Sequence, residues 1–286
     1  IKNILKINTP EINSTIFPNI NIQQMYVNKY LNFFSKKIFF LHNSPENNMK
    51  KLLICGAPSI YQISNAFRGG DLSKIHNPEF LILEYYRKKY NIRMIIKETL
   101  ELIKYIINKK KIIKKTYETT FKEILNIKPK TNSFYKIKNL IKKHINIINI
   151  NKIQKNEYLN LLLKYKIESK INKKTIYILY NYYYTQSDLS IKKKNFSERF
   201  EIYINNIEII NGSNELKNYN THIKKFNKYN KKSKFTKKTT INNDIKFISS
   251  LYYGLQKCSG IAIGIERLMM IYLKIKNIKN IKTFTN

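Results

Sequence analysis

Three stretches of this 286-residue chain predict an α+β fold. One has helical periodicity, one is a strand that turns back on itself, and one passes from strand into helix. Ile95, Ile96, Leu100, Ile103, Ile106 and Ile107 recur at helical spacing, so residues 93–108 are expected to form an amphipathic helix. Phe200, Ile202 and Ile204 alternate with Glu201 and Tyr203, and Ile207 and Ile209 alternate with Glu208. The intervening Asn205-Asn206 tolerates the positive φ of a tight turn, so the stretch is a β-hairpin. The alternation sets Glu208 on the face opposite Ile207 and Ile209. Gly260 to Gly264 is expected to be a short strand of small residues. Arg267 to Lys274 is expected to be a helix that offers Leu268, Met269, Ile271 and Tyr272 to the core.

The formal net charge is +36. A charge of that size ordinarily suggests nucleic acid. Arginine is the better reader of phosphates and bases, yet it occurs only at positions 68, 87, 93, 199 and 267. The chain is saturated with Lys, Asn, Ile and Tyr, the residues of A/T-rich codons. Compositional drift therefore accounts for the charge, which is read as a solvated lysine-rich surface. No specific nucleic-acid partner is expected. No stretch reaches the roughly 18 consecutive apolar residues of a membrane span, and the N-terminal residues lack the apolar core of a signal peptide. The expectation is a cytoplasmic protein with no membrane partner. Cys55 and Cys258 form neither a disulfide framework nor a zinc-ligand set, and both are read as ordinary buried thiols.

Against such drift, glycine and alanine are informative where they survive. Gly56, Ala57, Ala66, Gly69 and Gly70 form one group, Gly212 stands alone, and Gly254, Gly260, Ala262 and Gly264 form another. These are positions where backbone geometry or tight space excludes a larger side chain. Residues 105–195 contain no Gly or Ala and carry the lysine runs 109–111, 114–115, 142–143 and 192–194. That middle segment is low in complexity. Residues 1–286 are expected to form a single catalytic domain, with the regions before and after the middle segment building one site.

The chemistry-bearing residues begin at Ser44-Pro45-Glu46. Phe67-Arg68 then precedes a Gly69-Gly70-Asp71 loop, His76-Asn77-Pro78-Glu79-Phe80 follows, and Glu84-Tyr85-Tyr86 comes after it. An arginine beside a glycine loop can grip a phosphate through its guanidinium fork. Glu46, Glu84 and Tyr86 make a cluster suited to a cationic ligand, and two carboxylates would neutralise both ammonium groups of a diamino acid.

In order and wording these blocks resemble the class II lysyl-tRNA synthetases. Residues 67–86 resemble motif 2, Gly260-Ile261-Ala262-Ile263-Gly264-Ile265-Glu266-Arg267-Leu268 resembles motif 3, and Thr9-Pro10 is similar to the end of motif 1. Arg199-Phe200-Glu201 and the run from Glu208 to Glu215-Leu216 are similar to the stretch between motifs 2 and 3. Ser44-Pro45-Glu46, Met49-Lys50-Lys51-Leu52-Leu53 and Cys258-Ser259-Gly260 resemble a short free-standing branch of that superfamily. That branch ligates (R)-β-lysine to a lysine of elongation factor P. The chain leaves no room for the anticodon-binding barrel of a tRNA-charging enzyme, so no anticodon-binding domain is expected.

The resemblance implies the class II catalytic fold, an antiparallel sheet flanked by helices, and a family habit of homodimerising. The motif 1 helix of that interface is missing from this chain. It implies ATP and Mg2+ as cofactors and an aminoacyl-adenylate as intermediate. Ser44, Pro45, Glu46, Glu84, Tyr86 and Glu215 would contact the amino acid, and Ala262 would shape the floor of its pocket where the tRNA-charging branch usually has Gly. Arg68, Gly69, Gly70, Asn77, Glu208, Ile209 and Gly264 would form the ATP site. Arg68 would hold the α-phosphate, and Arg267 would stack on adenine or bind the γ-phosphate, making these two the catalytic pair. Glu208 and Glu215 would reach the metal. Gly70 stands where the family places the glutamate that holds the adenine amino group, with Asp71 one residue out of register. A tRNA-charging enzyme and an inactive nucleotide-binding relative stay open as alternatives.

Overall fold

The structure, a computed structural model, describes residues 3–15, 22–27, 39–70, 72–108, 111–131, 133–144, 154–187, 189–235 and 244–283. In chain order the first elements are strands β1 (Leu5–Lys6), β2 (Ile12–Asn13), β3 (Tyr26–Val27) and β4 (Phe39–Leu41). Helix α1 (Glu46–Ile54), the hairpin β5 (Ile60–Phe67) and β6 (Glu79–Lys88), and helix α2 (Ile92–Ile106) follow. Next come β7 (Ile112–Thr116), α3 (Tyr117–Leu125), α4 (Phe134–His144), α5 (Lys155–Leu162) and β8 (Ile176–Tyr183). The chain continues with β9 (Phe196–Ile204), β10 (Ile207–Asn214), α6 (Tyr219–Phe235), α7 (Ile245–Tyr252), β11 (Cys258–Gly264) and α8 (Ile265–Tyr272). The α+β expectation holds.

The chain divides into two compact units, one of residues 1–102 and 215–286 and one of residues 103–214. In the first, β5 pairs antiparallel with β6 and β6 antiparallel with β11, while β1 adds to β5 in parallel. A small second sheet runs β2-β4-β3. Helix α1 buries Met49 and Leu53 against Ile60, Tyr86 and Cys258 of the sheet and against Phe247 and Leu251 of α7. Helix α2 matches the expected range within two residues; of the expected stripe Ile95, Ile96 and Ile103 are buried, as is Ile107 just past its end, Leu100 and Ile106 are half-buried, and Thr99 joins the buried set.

In the second unit β8, β9 and β10 are successive antiparallel neighbours, and β7 joins β8 in parallel. Each unit thus carries one parallel edge pair beside an antiparallel set. The predicted hairpin is present, with Asn205 at φ 54° and Asn206 at φ 67°. Its alternation is less simple than the sequence suggests. A bulge between Glu208 and Ile210 buries Ile209 and Ile210 together, and Glu201 and Tyr203 are as buried as Phe200 and Ile202. The lysine-rich middle folds into helices α3, α4 and α5. Tyr117, Phe121, Ile137, Ile141, Tyr158 and Leu159 form its core with Leu179 and Tyr203 of the strands.

Two local expectations are corrected. In α8 the buried apolar residues are Leu268, Met270 and Ile271, beside buried Glu266, while Met269 is 40% and Tyr272 63% exposed. The helix begins at Ile265, earlier than expected, and its covered stripe falls between Met269 and Tyr272. Cys258 is buried, but Cys55 is exposed because it sits at the C-terminal cap of α1, past the helix's covered turns. Among the described residues no helix is long and apolar enough to cross a membrane.

Candidate active site

The first unit gathers most of the residues singled out in the sequence on one face of β5, β6 and β11. Gln62, Glu84 and Ala262 are direct cross-strand partners, and so are Ile60, Tyr86 and Gly260. Paired residues share a face, so Glu84 lies beside the Ala262 methyl and Tyr86 beside Gly260. Along β11, Gly260, Ala262 and Gly264 take this face while Ile261 and Ile263 take the other. Tyr86 and Glu215 close over the small residue at Gly260. At Gly260 a Cβ would stand 2.4 Å from Cε1 of Tyr86 and 3.0 Å from Oε1 of Glu215. Glycine is required here by space.

Helix α1 delivers its N-terminus to this face. Ser44 accepts a hydrogen bond from the Glu46 amide (3.1 Å) and donates to Oε1 of Glu84 (2.6 Å). Tyr86 donates its phenol to the other Glu84 oxygen at 3.2 Å. Glu84 is 2% exposed. Burial first, then the nearby charge of Glu46, pushes its carboxyl up to about 7. Among the described residues it makes no ion pair. Pro45, buried, starts α1 with the fixed φ suited to a helix entry. Glu46 receives Lys50 at i+4, with 2.6 Å between Nζ and Oε1, and Lys50 also meets Oε2 of Glu215 at 2.5 Å.

The loop between β5 and β6 carries the arginines' contacts. Arg68 donates from Nε and Nη2 to the Asn43 carbonyl, each at 3.3 Å, and its guanidinium lies 5.0 Å from the centre of the Phe80 ring. Arg267, on the first turn of α8, donates from Nε to the Ile75 carbonyl at 3.2 Å. Asn77 donates to the Glu79 carbonyl at 2.8 Å. Gly69 and Gly70 lie against Gln23, whose carbonyl accepts the Gly69 amide at 2.8 Å. Gly70 has φ +81°, a left-handed conformation that favours glycine on backbone grounds alone. Asp71, the neighbouring acid, lies outside the described residues. Gly264 caps the start of α8 beside Arg267.

Glu208 and Ile209 belong to the second unit. There Ile209 is buried and Glu208, half-buried, pairs across the hairpin with Tyr203. On the same face Arg199 holds Glu201 at 2.7 Å, and Tyr203 donates to the second Glu201 oxygen. Burial and the charge of Glu208 push Glu201 up to about 7 despite the arginine.

Two residues in the first unit were missed by their pattern. Glu266, 5% exposed, accepts the Leu81 amide with both oxygens at 2.8 and 2.9 Å, tying α8 to β6. In the sequence Lys50 is one lysine among many, with no role implied beyond the motif wording around it. Its only signal was the i, i+4 spacing from Glu46.

The donor set suits the expected ligands in kind. Arg68 at the start of the β5–β6 loop and Arg267 of α8, which bonds to the Ile75 carbonyl of that loop, are guanidinium groups of the kind that suits a polyphosphate. Among the described residues no group of three or more His, Cys, Asp or Glu gathers as for a metal. Magnesium in nucleotide sites asks for only one or two carboxylates beside the phosphate oxygens; Glu208 in the second unit is a half-buried carboxylate of that type, whereas Glu215 in the first is engaged by Lys50.

The family described as tRNA synthetases class II (D, K and N) matches residues 2–286. The chain is 33% identical over 290 residues to the elongation factor P--(R)-beta-lysine ligase of Buchnera aphidicola subsp. Acyrthosiphon pisum (strain APS), spanning 99% of this chain and 89% of that protein. It is 29% identical over 289 residues to the protein of that name from Avibacterium paragallinarum, spanning 99% and 89%. The same name belongs to a relative from Baumannia cicadellinicola subsp. Homalodisca coagulata, 29% identical over 298 residues and spanning 99% and 89%. With the family matched along nearly its whole length, this chain belongs to the class II tRNA synthetases of the D, K and N group.

Proposed function

We propose that this protein is an ATP-dependent ligase that activates (R)-β-lysine as its adenylate and transfers it to a lysine side chain of elongation factor P. The observation that carries this reading is Glu84, a buried carboxylate held by the hydroxyls of Ser44 and Tyr86 and engaged by no ion pair among the described residues. Such a group is prepared for an incoming ammonium. The relatives' names supply the amino acid and the acceptor.

In this reading Ser44, Pro45, Glu46, Tyr86 and Glu215 line the amino-acid pocket with Glu84. The substrate carboxylate attacks the α-phosphorus of ATP; the new O–P bond forms as the bond to pyrophosphate breaks. Arg68 stabilises the charge gathering on the α-phosphate, and Arg267 holds the far end of the nucleotide. Asn77, Gly69, Gly70, Ile209 and Gly264 line its site. Bound magnesium would neutralise the phosphate oxygens, with Glu208 the carboxylate of the kind to hold it, since Glu215 is engaged by Lys50. The acceptor lysine then attacks the acyl carbon and AMP leaves, a step assisted by proximity. The whole chain, both compact units, acts as one catalytic domain, homodimeric as in the family and cytoplasmic, with no nucleic-acid partner.

The test is ATP–pyrophosphate exchange with (R)-β-lysine and α-lysine compared, followed by transfer to elongation factor P. Exchange driven by (R)-β-lysine is expected, and its absence sinks the reading. Ala262 lies beside Glu84, so Ala262→Gly is expected to shift the preference between the two lysines by about 1–3 kcal/mol, the usual size of a one-carbon change. A charging assay with tRNA at near-physiological salt is expected to show background only, since non-specific binding by so cationic a chain fades steeply with salt.

A further inference from the structure

Among the described residues Lys50 is the one wholly enclosed ammonium of the site, and the roles assigned above leave it unused. Its side chain is 0% exposed. The ammonium stands 2.6 Å from Glu46, 2.5 Å from Glu215 and 5.9 Å from the centre of the Tyr86 ring. Three parts of the first unit converge on it: α1 with Glu46, β6 with Tyr86, and the segment leading into α6 with Glu215. Within ion-pair distance of both carboxylates, the ammonium anchors the two acids. Glu215 is itself only 4% exposed, and its Cα region is tied to β11 through the Glu215 amide and the Cys258 carbonyl at 3.0 Å.

We propose that Lys50 is a positioning residue that clamps Glu46 and Glu215 and fills the cation position between them. Glu84 is thereby left as the carboxylate that receives the substrate's amine. This rests on the amino-acid pocket described under the proposed function. Without Lys50 the two acids repel one another and their orientations toward the pocket are lost, while the arginine-bearing loop, held through Asn43 and Ile75, is untouched.

The experiment uses the full chain with Lys50→Met, which keeps the stem and removes the charge, and the double variant Lys50→Met/Glu215→Gln. Thermal unfolding without substrate is measured beside exchange kinetics. Lys50→Met is expected to raise the KM for (R)-β-lysine more than tenfold while the KM for ATP stays within about threefold. The double variant is expected to melt above Lys50→Met, because it no longer strands Glu215, and to keep the raised amino-acid KM. A folded Lys50→Met with wild-type amino-acid KM overturns the proposal, as does a double variant no more stable than the single one. Should the wild type show no exchange with (R)-β-lysine, the functional reading fails alone, because the unfolding comparison needs no substrate.

Discussion

Glu84 in the first unit and Glu201 in the second are both buried carboxylates on a sheet face, and both are pushed up to about 7, chiefly by burial. Their partners differ. Glu201 has a cation of its own, Arg199 at 2.7 Å, and a donating phenol, Tyr203. Glu84 has two hydroxyls, Ser44 and Tyr86, while the nearest buried ammonium, Lys50, is committed to Glu46 and Glu215. A buried acid with a resident cation is part of the architecture. Glu84 is hydrogen-bonded only by neutral hydroxyls, and the charge of Arg68 does not offset its burial; in the proposed reading the substrate brings the counter-charge.

The sharpest way to break this contrast is to remove the resident cation. Arg199→Met strands Glu201 without its counter-charge and is expected to destabilise the protein by about 3–5 kcal/mol, the usual cost of breaking a buried pair. Urea unfolding checks it, and a loss below about 1 kcal/mol would put Glu201 in the same class as Glu84. Next in size, Glu84→Gln removes a charge-assisted bond worth roughly 1.5–3 kcal/mol to the substrate. The KM for (R)-β-lysine should then rise about ten- to a hundredfold, with a melting temperature equal to or above wild type. Lower stability at unchanged KM would make Glu84 structural after all.

Gly260→Ala probes the same pocket by volume. The new methyl meets the Tyr86 ring and the Glu215 carboxylate, and overpacking of this kind costs typically about 1–3 kcal/mol. The amino-acid KM is expected to rise with little change in the KM for ATP, and equal effects on both would assign Gly260 to folding alone.

The smallest effect is read through pH. Glu84 must be ionised to hold an ammonium, and its pKa is raised to about 7. The KM for (R)-β-lysine should therefore fall about tenfold from pH 6 to pH 8 as the carboxyl ionises, and Glu84→Gln should flatten that profile. The stability sign is opposite. Because the native state holds this proton above the ordinary value of 4.5, the group's contribution to stability falls as pH rises from there to about 7.

Much of this was readable in the chain before any coordinates. The period of α2, the Asn205-Asn206 turn and the strand-to-helix passage, expected at 260–274 and found two residues earlier at 258–272, are local properties. Each is set by side-chain spacing or backbone tolerance within a few residues, and each is found in place. The three surviving small residues of β11 pointed to a tight site because nothing else holds such residues against a lysine- and isoleucine-rich drift. Glu46, Glu84 and Tyr86 could be named as one cluster from their order, and Ser44 as an amino-acid contact from family wording; in the fold it is Ser44, not Glu46, that joins Tyr86 on Glu84.

Other features depend on neighbours far away in sequence. The face of α8 that is buried, Met270 rather than Met269 and Tyr272, depends on which side β6 and the C-terminal turn cover. The middle segment looked featureless because its Tyr and Ile anchors are spaced among lysines, and burial alone sorts Tyr117 and Tyr158 inward. Lys50 is the clearest case. Among so many lysines no local pattern marks one as buried, and its charge becomes tolerable only because Glu215, a long way down the chain, is brought by the fold to within ion-pair distance. Local periodicity can say which way a side chain points along its own element. Whether that direction leads to water or to a counter-charge is a property of what packs across from it, and no single stretch of chain contains that information.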